Sequence, residues 1–186
     1  MDAIAHTASP FHFKVVEPEE LVVPAVHGTT GVLASALKNA PSVKRIVITS
    51  SVAAVVTPSP NPSTFSEEDW NEDSIVEIKE KGKDASAIAK YRASKTLAER
   101  AAWDFWNGHK KEVGWDLVVL NPPLVLGPFL HEVDKPEDLN ESVRMFYNSV
   151  VKGAMDNNTL ANAGYVSCYL LLVRLRGLVL MGGVRV

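Results

Sequence analysis

A tyrosine and a lysine four residues apart, Tyr91 and Lys95, are the residues of this chain whose types and spacing could do chemistry. In a helix, residues four apart lie on one face, about one turn from each other. A lysine ammonium held near a phenol favours the phenolate and lowers its pKa from about 10 toward neutral pH. The pair therefore predicts proton transfer at a tyrosine. The alternative is a surface tyrosine packed on a lysine stem.

A serine hydroxyl is the third group that such chemistry needs, because an alkoxide that develops on a substrate has to be stabilised by a hydrogen-bond donor. Ser51 follows the β-branched run of residues 45–49, which is typical of a buried strand. We therefore expect Ser51 to lie at the end of a strand and to bind a carbonyl oxygen.

Strands and helices alternate along the segments that must position these residues. Three stretches have the composition of strands: residues 3–10, 45–49 and 115–120. The first of them runs into a loop at its end. Three stretches have the composition of helices, and they are residues 17–38, 85–110 and 137–152. Residues 57–84 are predicted to form an extended loop. The alternation indicates an α/β domain with a parallel sheet.

Composition narrows the classes of function. The 186 residues, 46% hydrophobic and 22% charged, are enough for one domain with a core. The net charge of -3 and the scattered basic residues argue against a nucleic-acid partner. The single cysteine, Cys168, excludes cysteine metal sites within the chain and fits a reducing cytosol. We expect no metal and no leader sequence. We also expect no membrane anchor in residues 165–186, because Arg174 and Arg176 interrupt that apolar stretch.

Four segments contain or flank Ser51, Tyr91 and Lys95. In chain order they are residues 6–11 (HTASPF), 43–51, 91–103 and 121–128. In this order they resemble the extended short-chain dehydrogenase/reductases. The similar branch contains dihydroflavonol reductases, cinnamoyl-CoA reductases and fungal aldehyde or methylglyoxal reductases. The resemblance implies a Rossmann-type, doubly wound parallel sheet. It also implies NADP-dependent reduction of a small-molecule carbonyl substrate in the cytoplasm, with NAD as the other possible cofactor.

The resemblance implies a role for each matched residue. Tyr91 would be the general acid that protonates the carbonyl oxygen, and Ser51 would orient that carbonyl. Lys95 would lower the pKa of Tyr91 and bind the hydroxyls of the nicotinamide ribose. Further cofactor contacts would come from two loops at the carboxyl ends of the strands, where ligands of such folds sit. The residues concerned are Thr7, Ala8, Ser9, Pro122, Leu124 and Val125.

The chain also departs from the family pattern. None of its 11 glycines forms the Gly-x-x-Gly-x-x-Gly turn that holds a pyrophosphate. The stretch Gly28-Thr29-Thr30-Gly31 follows a helical pattern, so we interpret it as part of a helix packed closely on the sheet. We therefore expect a sheet that lacks its first βαβ unit. The expected divisions are a partial NAD(P)-binding domain over 1–128, the start of a substrate lobe over 129–160, and an apolar tail over 161–186 unlike the family.

Three functions remain open at this point. The first is an NADP-dependent carbonyl reductase, in a form truncated at both ends. The second is a catalytically inactive remnant without cofactor binding, because cofactor positioning supplies much of the catalysis. The third is an NAD-dependent epimerase or dehydratase of the same superfamily, against which the segments around Tyr91 and Pro128 argue. Among the other residues, we interpret His6 as a hydrogen-bonded core histidine, and Trp103 and Trp106 as packing on the sheet.

Overall fold

The computed structural model describes residues 1–59, 61, 63–127, 132–154, 165–167 and 184–185. It divides the chain into two compact units. The first unit comprises Met1–Pro60 and Phe65–Asn121, and the second comprises Asn61–Thr64 and Pro122–Val186. Most of the tail predicted over 161–186 lies outside the described residues.

The described elements of regular structure, in chain order, are β1 (Ala3–His6), α1 (Glu19–Asn39), β2 (Arg45–Thr49), β3 (Thr64–Phe65), α2 (Glu72–Lys81), α3 (Ala87–His109), β4 (Asp116–Leu120), β5 (Leu124–Leu126), α4 (Glu141–Phe146), β6 (Tyr165–Ser167) and β7 (Val184–Arg185). Short 3-10 turns occur at Val52–Ala54, Gly82–Asp84 and Pro136–Asp138, and a π-type turn at Tyr147–Val151 follows α4.

The sheet of the first unit has three parallel strands in the order β1-β2-β4. Its register places Ile4 beside Ile46 and Ile46 beside Leu117. Parallel neighbours need a crossover connection, which α1 supplies between β1 and β2, and α2 with α3 between β2 and β4. The predicted α/β domain with a parallel sheet is confirmed. Because the strands are parallel, their carboxyl ends meet at one edge of the sheet.

The core lies between one face of this sheet and the helices α1 and α3. Ile46 and Ile48 are buried and alternate with half-buried neighbours along β2, as expected of a strand with one face covered. Leu33 of α1 and Ala102 of α3 are fully buried against them. Burying one such aliphatic side chain contributes about 1.5–3 kcal/mol. Trp103 and Trp106 also pack against this cluster, as predicted, with their ring centroids 6.2 Å apart.

Helix α1 runs without a break through Pro24 and through the two glycines of the Gly28–Gly31 stretch. The prediction of a helix packed on the sheet is confirmed, but the two glycines do not make that contact. Both are exposed, and a Cβ atom added at either would meet nothing within 4 Å. With 3.6 residues per turn, the buried stripe passes through Ala25, Thr29 and Leu33 instead. By length and composition α1 could cross a membrane, a property that it shares with helices of folded cores.

The prediction of a loop over 57–84 is wrong, because residues 72–81 form α2. Asn71 caps this helix by accepting a hydrogen bond from the Ser74 amide at 3.1 Å. The Asn71 side-chain amide also donates to the carbonyl oxygens of Ala53 and Val56. Within α2 only Ser74 and Ile75 are buried, so the helix has no apolar stripe that a sequence pattern could detect.

The second unit contains the helix predicted over 137–152, which is divided into three pieces. After the turn Pro136–Asp138, Asn140 caps α4 by accepting a hydrogen bond from the Val143 amide at 3.0 Å. The π-type turn then extends α4 to Val151. In the same unit β5 pairs in parallel with β6, placing Leu124 beside Tyr165.

Candidate active site

Helix α3 carries three buried or half-buried polar side chains at every fourth position, Tyr91, Lys95 and Glu99. The helix begins after Ser86, whose side chain accepts a hydrogen bond from the Ala89 amide at 3.2 Å. Ala93 is completely buried, and its small side chain permits close packing of the helix. A spacing of four residues brings the three polar side chains to neighbouring positions along one side of α3.

Ser51 lies two residues beyond Thr49, the last residue of β2, and it caps the turn Val52–Ala54. Its hydroxyl oxygen accepts a hydrogen bond from the Ala53 amide at 3.1 Å. The Thr96 hydroxyl of α3 donates to the Arg92 carbonyl oxygen at 2.9 Å and also lies 3.4 Å from the Ala54 carbonyl oxygen, so this turn packs against the helix. The structure therefore brings Ser51 to the same edge of the sheet as the Tyr91 helix face.

The three residues predicted for proton transfer come together in the first unit. The Ser51 side chain is close enough to the Tyr91 hydroxyl for a hydrogen bond to lower the Tyr91 pKa. Lys95 Nζ lies 6.0 Å from the centroid of the Tyr91 ring. The rings of Phe11 and Phe13 cover Tyr91, with centroids 5.0 and 5.9 Å from its own.

Burial dominates the electrostatics of Tyr91. It raises the pKa of this phenol above 10.0, and the hydrogen bond with Ser51 opposes the rise. This direction is the opposite of the predicted lowering by Lys95. The physical reason is that the aromatic cover of Phe11 and Phe13 removes water from the phenol, whereas the Lys95 ammonium is several Å away from the ring. In this state Tyr91 holds its proton at neutral pH.

Lys95 and Glu99 are both almost fully buried, with 7% and 5% of their surfaces exposed. Burial lowers the pKa of Lys95, and the negative charge of Glu99 raises it again. Burial raises the pKa of Glu99, and the nearby polar groups of Ser50, Asn121 and Trp103 together with the charge of Lys95 lower it in turn. The Asn121 amide nitrogen donates to Glu99 Oε2 at 2.7 Å.

Glu99 and Asn121 belong to this site, although neither was predicted from the sequence as a site residue. A signal for Glu99 was present, because it continues the spacing of four that joins Tyr91 to Lys95. Asn121 entered the sequence analysis only as the first residue of the segment 121–128 that resembles the family. Its partner lies 22 residues away on another element, a relation that no local pattern contains.

A small pocket opens at the carboxyl ends of β1 and β2. Its lining includes His6, Ala8, Ser9, Thr49, Ser50 and Lys95. The Nε2 atom of His6 and the hydroxyl of Ser50 are buried there without a hydrogen-bond partner. Ser50 Oγ lies near enough to Glu99 to influence its pKa, but it forms no hydrogen bond of normal geometry.

The interpretation of His6 as a hydrogen-bonded core histidine is therefore wrong. Its Nε2 atom faces a pocket and has no partner. Burial lowers the pKa of His6, and the nearby charge of Lys95 lowers it further, so His6 is neutral at neutral pH. A neutral imidazole and a free hydroxyl beside an ammonium are groups that can bind sugar hydroxyls. The chemistry of these groups matches the hydroxyls of a cofactor ribose, and the cavity that they line is about the size of one water molecule.

The residues predicted to contact a cofactor are distributed over both units. Ala8 and Ser9 line the pocket of the first unit beside Lys95, whereas Thr7 is exposed and is not part of the lining. Pro122, Leu124 and Val125 are half-buried in the second unit, in β5 or directly before it. Among the residues that the structure describes, no group of three or more His, Cys, Asp and Glu side chains could hold a metal ion.

A parallel α/β sheet, with serine, tyrosine and lysine gathered near the carboxyl ends of its strands, has the architecture of a Rossmann-type domain. The family model for NAD-binding proteins described as male sterility protein matches residues 1–173. The chain belongs to the extended short-chain dehydrogenase/reductases, as its sequence predicted. The matched stretch continues beyond residue 161, where the tail unlike the family was predicted to begin.

Individual relatives lie in the predicted branch. The ketoreductase AzaE of Aspergillus niger is 39% identical over 161 residues, which are 83% of this chain and 42% of that protein. The cinnamoyl-CoA reductase CAD2 of Medicago truncatula is 39% identical over 165 residues, which are 87% of this chain and 44% of that protein. The crystal structure of yeast methylglyoxal/isovaleraldehyde reductase Gre2 with NADPH superposes with a TM-score of 0.68 at 35% identity, covering 82% of this chain and 44% of that one. The chain therefore spans less than half the length of these relatives.

Proposed function

We propose that the protein is an NADP-dependent carbonyl reductase that acts on a small aldehyde or ketone. The observation that carries this proposal is the meeting of Ser51, Tyr91 and Lys95 at the carboxyl end of β2. The relatives support the chemistry, since they are named as a ketoreductase, a cinnamoyl-CoA reductase and an NADPH-dependent methylglyoxal reductase. NADPH bound to such relatives in crystals supports the choice of cofactor.

The proposed reaction adds a hydride and a proton to a carbonyl group. The hydride is the contribution of NADPH when it is bound. Ser51 donates a hydrogen bond to the carbonyl oxygen and so stabilises the negative charge that develops there. Tyr91 donates its proton to the same oxygen, which gives the alcohol and leaves a phenolate. The raised pKa of Tyr91 suits this role, because a group that must give a proton has to carry it at neutral pH.

Lys95 has two tasks in the proposal. Its ammonium binds the ribose hydroxyls of the cofactor beside Ala8 and Ser9, and its charge stabilises the phenolate that Tyr91 becomes. Thr7 is assigned to the same cofactor loop. Pro122, Leu124 and Val125 are proposed to pack around the nicotinamide ring.

The proposal includes the division of the chain and its location. We assign residues 1–128 to the cofactor-binding part, residues 129–160 to the start of a substrate lobe, and residues 161–186 to a tail. A small-molecule carbonyl compound is the proposed substrate, and the proposed location is the cytoplasm, to which the single cysteine is suited.

The experiment titrates NADPH into the purified chain and follows fluorescence, then adds methylglyoxal and follows NADPH oxidation. We expect saturable binding, and oxidation that requires the carbonyl compound. A Ser51→Ala variant should lose oxidation while it keeps NADPH binding. Ser42→Ala is the matched control, because Ser42 lies in the loop before β2 and its exposed hydroxyl donates to the Met1 carbonyl oxygen, away from Tyr91.

Two outcomes would reject the proposal in different ways. Absence of NADPH binding would favour the inactive remnant. NADPH binding without carbonyl-dependent oxidation would favour an epimerase or dehydratase, which returns its cofactor unchanged at the end of each cycle.

A further inference from the structure

The side-chain amide of Asn121 joins three elements around the proposed reaction centre. Its nitrogen donates to Glu99 Oε2 at 2.7 Å and to the Ser51 carbonyl oxygen at 3.0 Å. An amide nitrogen carries two protons, so both are used. Glu99 belongs to α3, Ser51 to the turn after β2, and Asn121 follows the last residue of β4. A single side chain therefore links the tyrosine helix to the serine turn.

Glu99 is a carboxylate with only 5% of its surface exposed, and burying a charge is costly unless partners compensate it. Asn121 supplies one hydrogen bond, and the ammonium of Lys95, one helical turn earlier, supplies the opposite charge. Nothing in the proposed reaction uses Glu99 as a donor or acceptor for substrate. The buried Glu99 instead interacts with both groups that the reaction does use, with Ser51 through Asn121 and with Lys95 through its charge.

We propose that Glu99 is a positioning residue, which holds the Ser51 turn against α3 through Asn121 and supplies the counter-charge for the Lys95 ammonium. The inference rests on the proposed function, since a reductase is what needs Ser51 and Lys95 fixed in this way. Electrostatics agree with it, because the charge of Glu99 raises the pKa of Lys95 against the effect of burial.

The two actions of Glu99 can be separated by substitution. Glu99→Gln keeps an oxygen that accepts from Asn121 but removes the negative charge. Asn121→Ala keeps the charge but removes the link to Ser51. Glu72→Gln is the matched control, because Glu72 is an exposed carboxylate of α2 that pairs with Arg100 of α3, the helix that also carries Glu99.

The first measurement is the pH dependence of Lys95 acetylation by acetic anhydride in the chain without cofactor, read on the Lys95 peptide by mass spectrometry. In Glu99→Gln we expect the pKa of Lys95 to fall by about one unit, which makes its neutral fraction at a given pH roughly tenfold larger. The other titratable groups near Lys95 include His6 from β1 and Tyr91 on α3. The neutral His6 and the protonated Tyr91 contribute no charge near pH 7. A Lys95 profile in Glu99→Gln equal to that of Glu72→Gln would overturn the inference.

The second measurement is amide hydrogen exchange of the turn Val52–Ala54. Asn121→Ala should speed exchange there about tenfold, because the turn loses one of its ties to the helix, while Glu99→Gln and Glu72→Gln should not. Glu99→Asp keeps the charge but shortens the side chain, so it should exchange like Asn121→Ala and keep the wild-type Lys95 profile. Unchanged exchange in Asn121→Ala would refute the link. Both measurements omit NADPH, so they decide the role of Glu99 even if the chain proves not to reduce carbonyl compounds.

Discussion

Replacement of Lys90 by methionine should both destabilise the first unit and change the titration of Tyr91. Lys90 is 3% exposed, and its ammonium donates to the carbonyl oxygens of Val16 and Lys83, each at 2.7 Å. Val16 ends the segment that carries Phe11 and Phe13 over the Tyr91 ring. The Lys90 side chain therefore fixes this aromatic cover to the helix that bears the tyrosine.

The magnitude follows from the two bonds that are lost. Each hydrogen bond from a charged donor contributes about 1.5–3 kcal/mol, and two give about 3–6 kcal/mol. Removing the ammonium also removes the cost of burying it, and methionine fills most of the volume. We therefore expect the free energy of unfolding to fall by about 2–3 kcal/mol.

Urea unfolding followed by tryptophan fluorescence measures this loss, with the exposed Lys79→Met as the control. Loosening of the cover admits water to the phenol, so the pKa of Tyr91 should fall toward 10.0, as read from phenolate absorbance. The Tyr91→Phe variant assigns that signal among the four tyrosines. A Lys90→Met variant as stable as Lys79→Met, with an unchanged Tyr91 titration, would refute the reasoning.

Three further predictions concern other parts of the first unit. Tyr91→Phe should lower the rate of NADPH oxidation by about 10²–10⁴-fold and leave the NADPH affinity unchanged in a fluorescence titration. A variant that loses NADPH affinity as much as it loses rate would contradict the role of Tyr91 as the acid. The pKa of His6 is lowered in the folded state, so the unfolded state takes up a proton first as the pH falls below 6.5, and the free energy of unfolding decreases over that range. Because His6→Gln lacks this titration, its urea midpoint should decrease less between pH 7 and pH 5 than that of the wild type. Asp116→Asn breaks the exposed ion pair with Arg45 across β2 and β4 and should lower the urea midpoint only slightly. That difference should vanish in about 1 M salt, where the Debye length is about 3 Å; a large, salt-independent effect would contradict a surface ion pair.

The elements that position the reaction centre could be predicted because each has a strong local pattern. The β-branched run of β2 reports a buried strand, and the Ala, Leu, Lys and Glu residues of α3 report a long helix. The order of strand, helix and strand then restricts the topology to a few arrangements, of which a parallel sheet is the simplest.

The predictions from sequence failed where the structure depends on contacts between residues that are distant along the chain. Helix α2 is fixed by Asn71, whose amide reaches the carbonyl oxygens of Ala53 and Val56, 18 and 15 residues earlier. The unpartnered state of His6 and the aromatic cover that raises the pKa of Tyr91 likewise depend on neighbours brought from other elements. Spacing along the chain could place Tyr91 and Lys95 on one helix face but could not give the balance between burial and charge there.

The repeat of four residues between Tyr91, Lys95 and Glu99 also limits how the gene can vary. Four residues turn a helix by about 400°, so each group points about 40° further round the axis than the one before it. One inserted residue between Tyr91 and Glu99 would turn the later groups by about 100° and advance them by about 1.5 Å. An insertion before Lys95 would move Lys95 away from the pocket, and an insertion after Lys95 would move Glu99 away from Asn121. Point substitutions on the exposed side of α3 are therefore compatible with the site, whereas insertions and deletions between residues 91 and 99 are not.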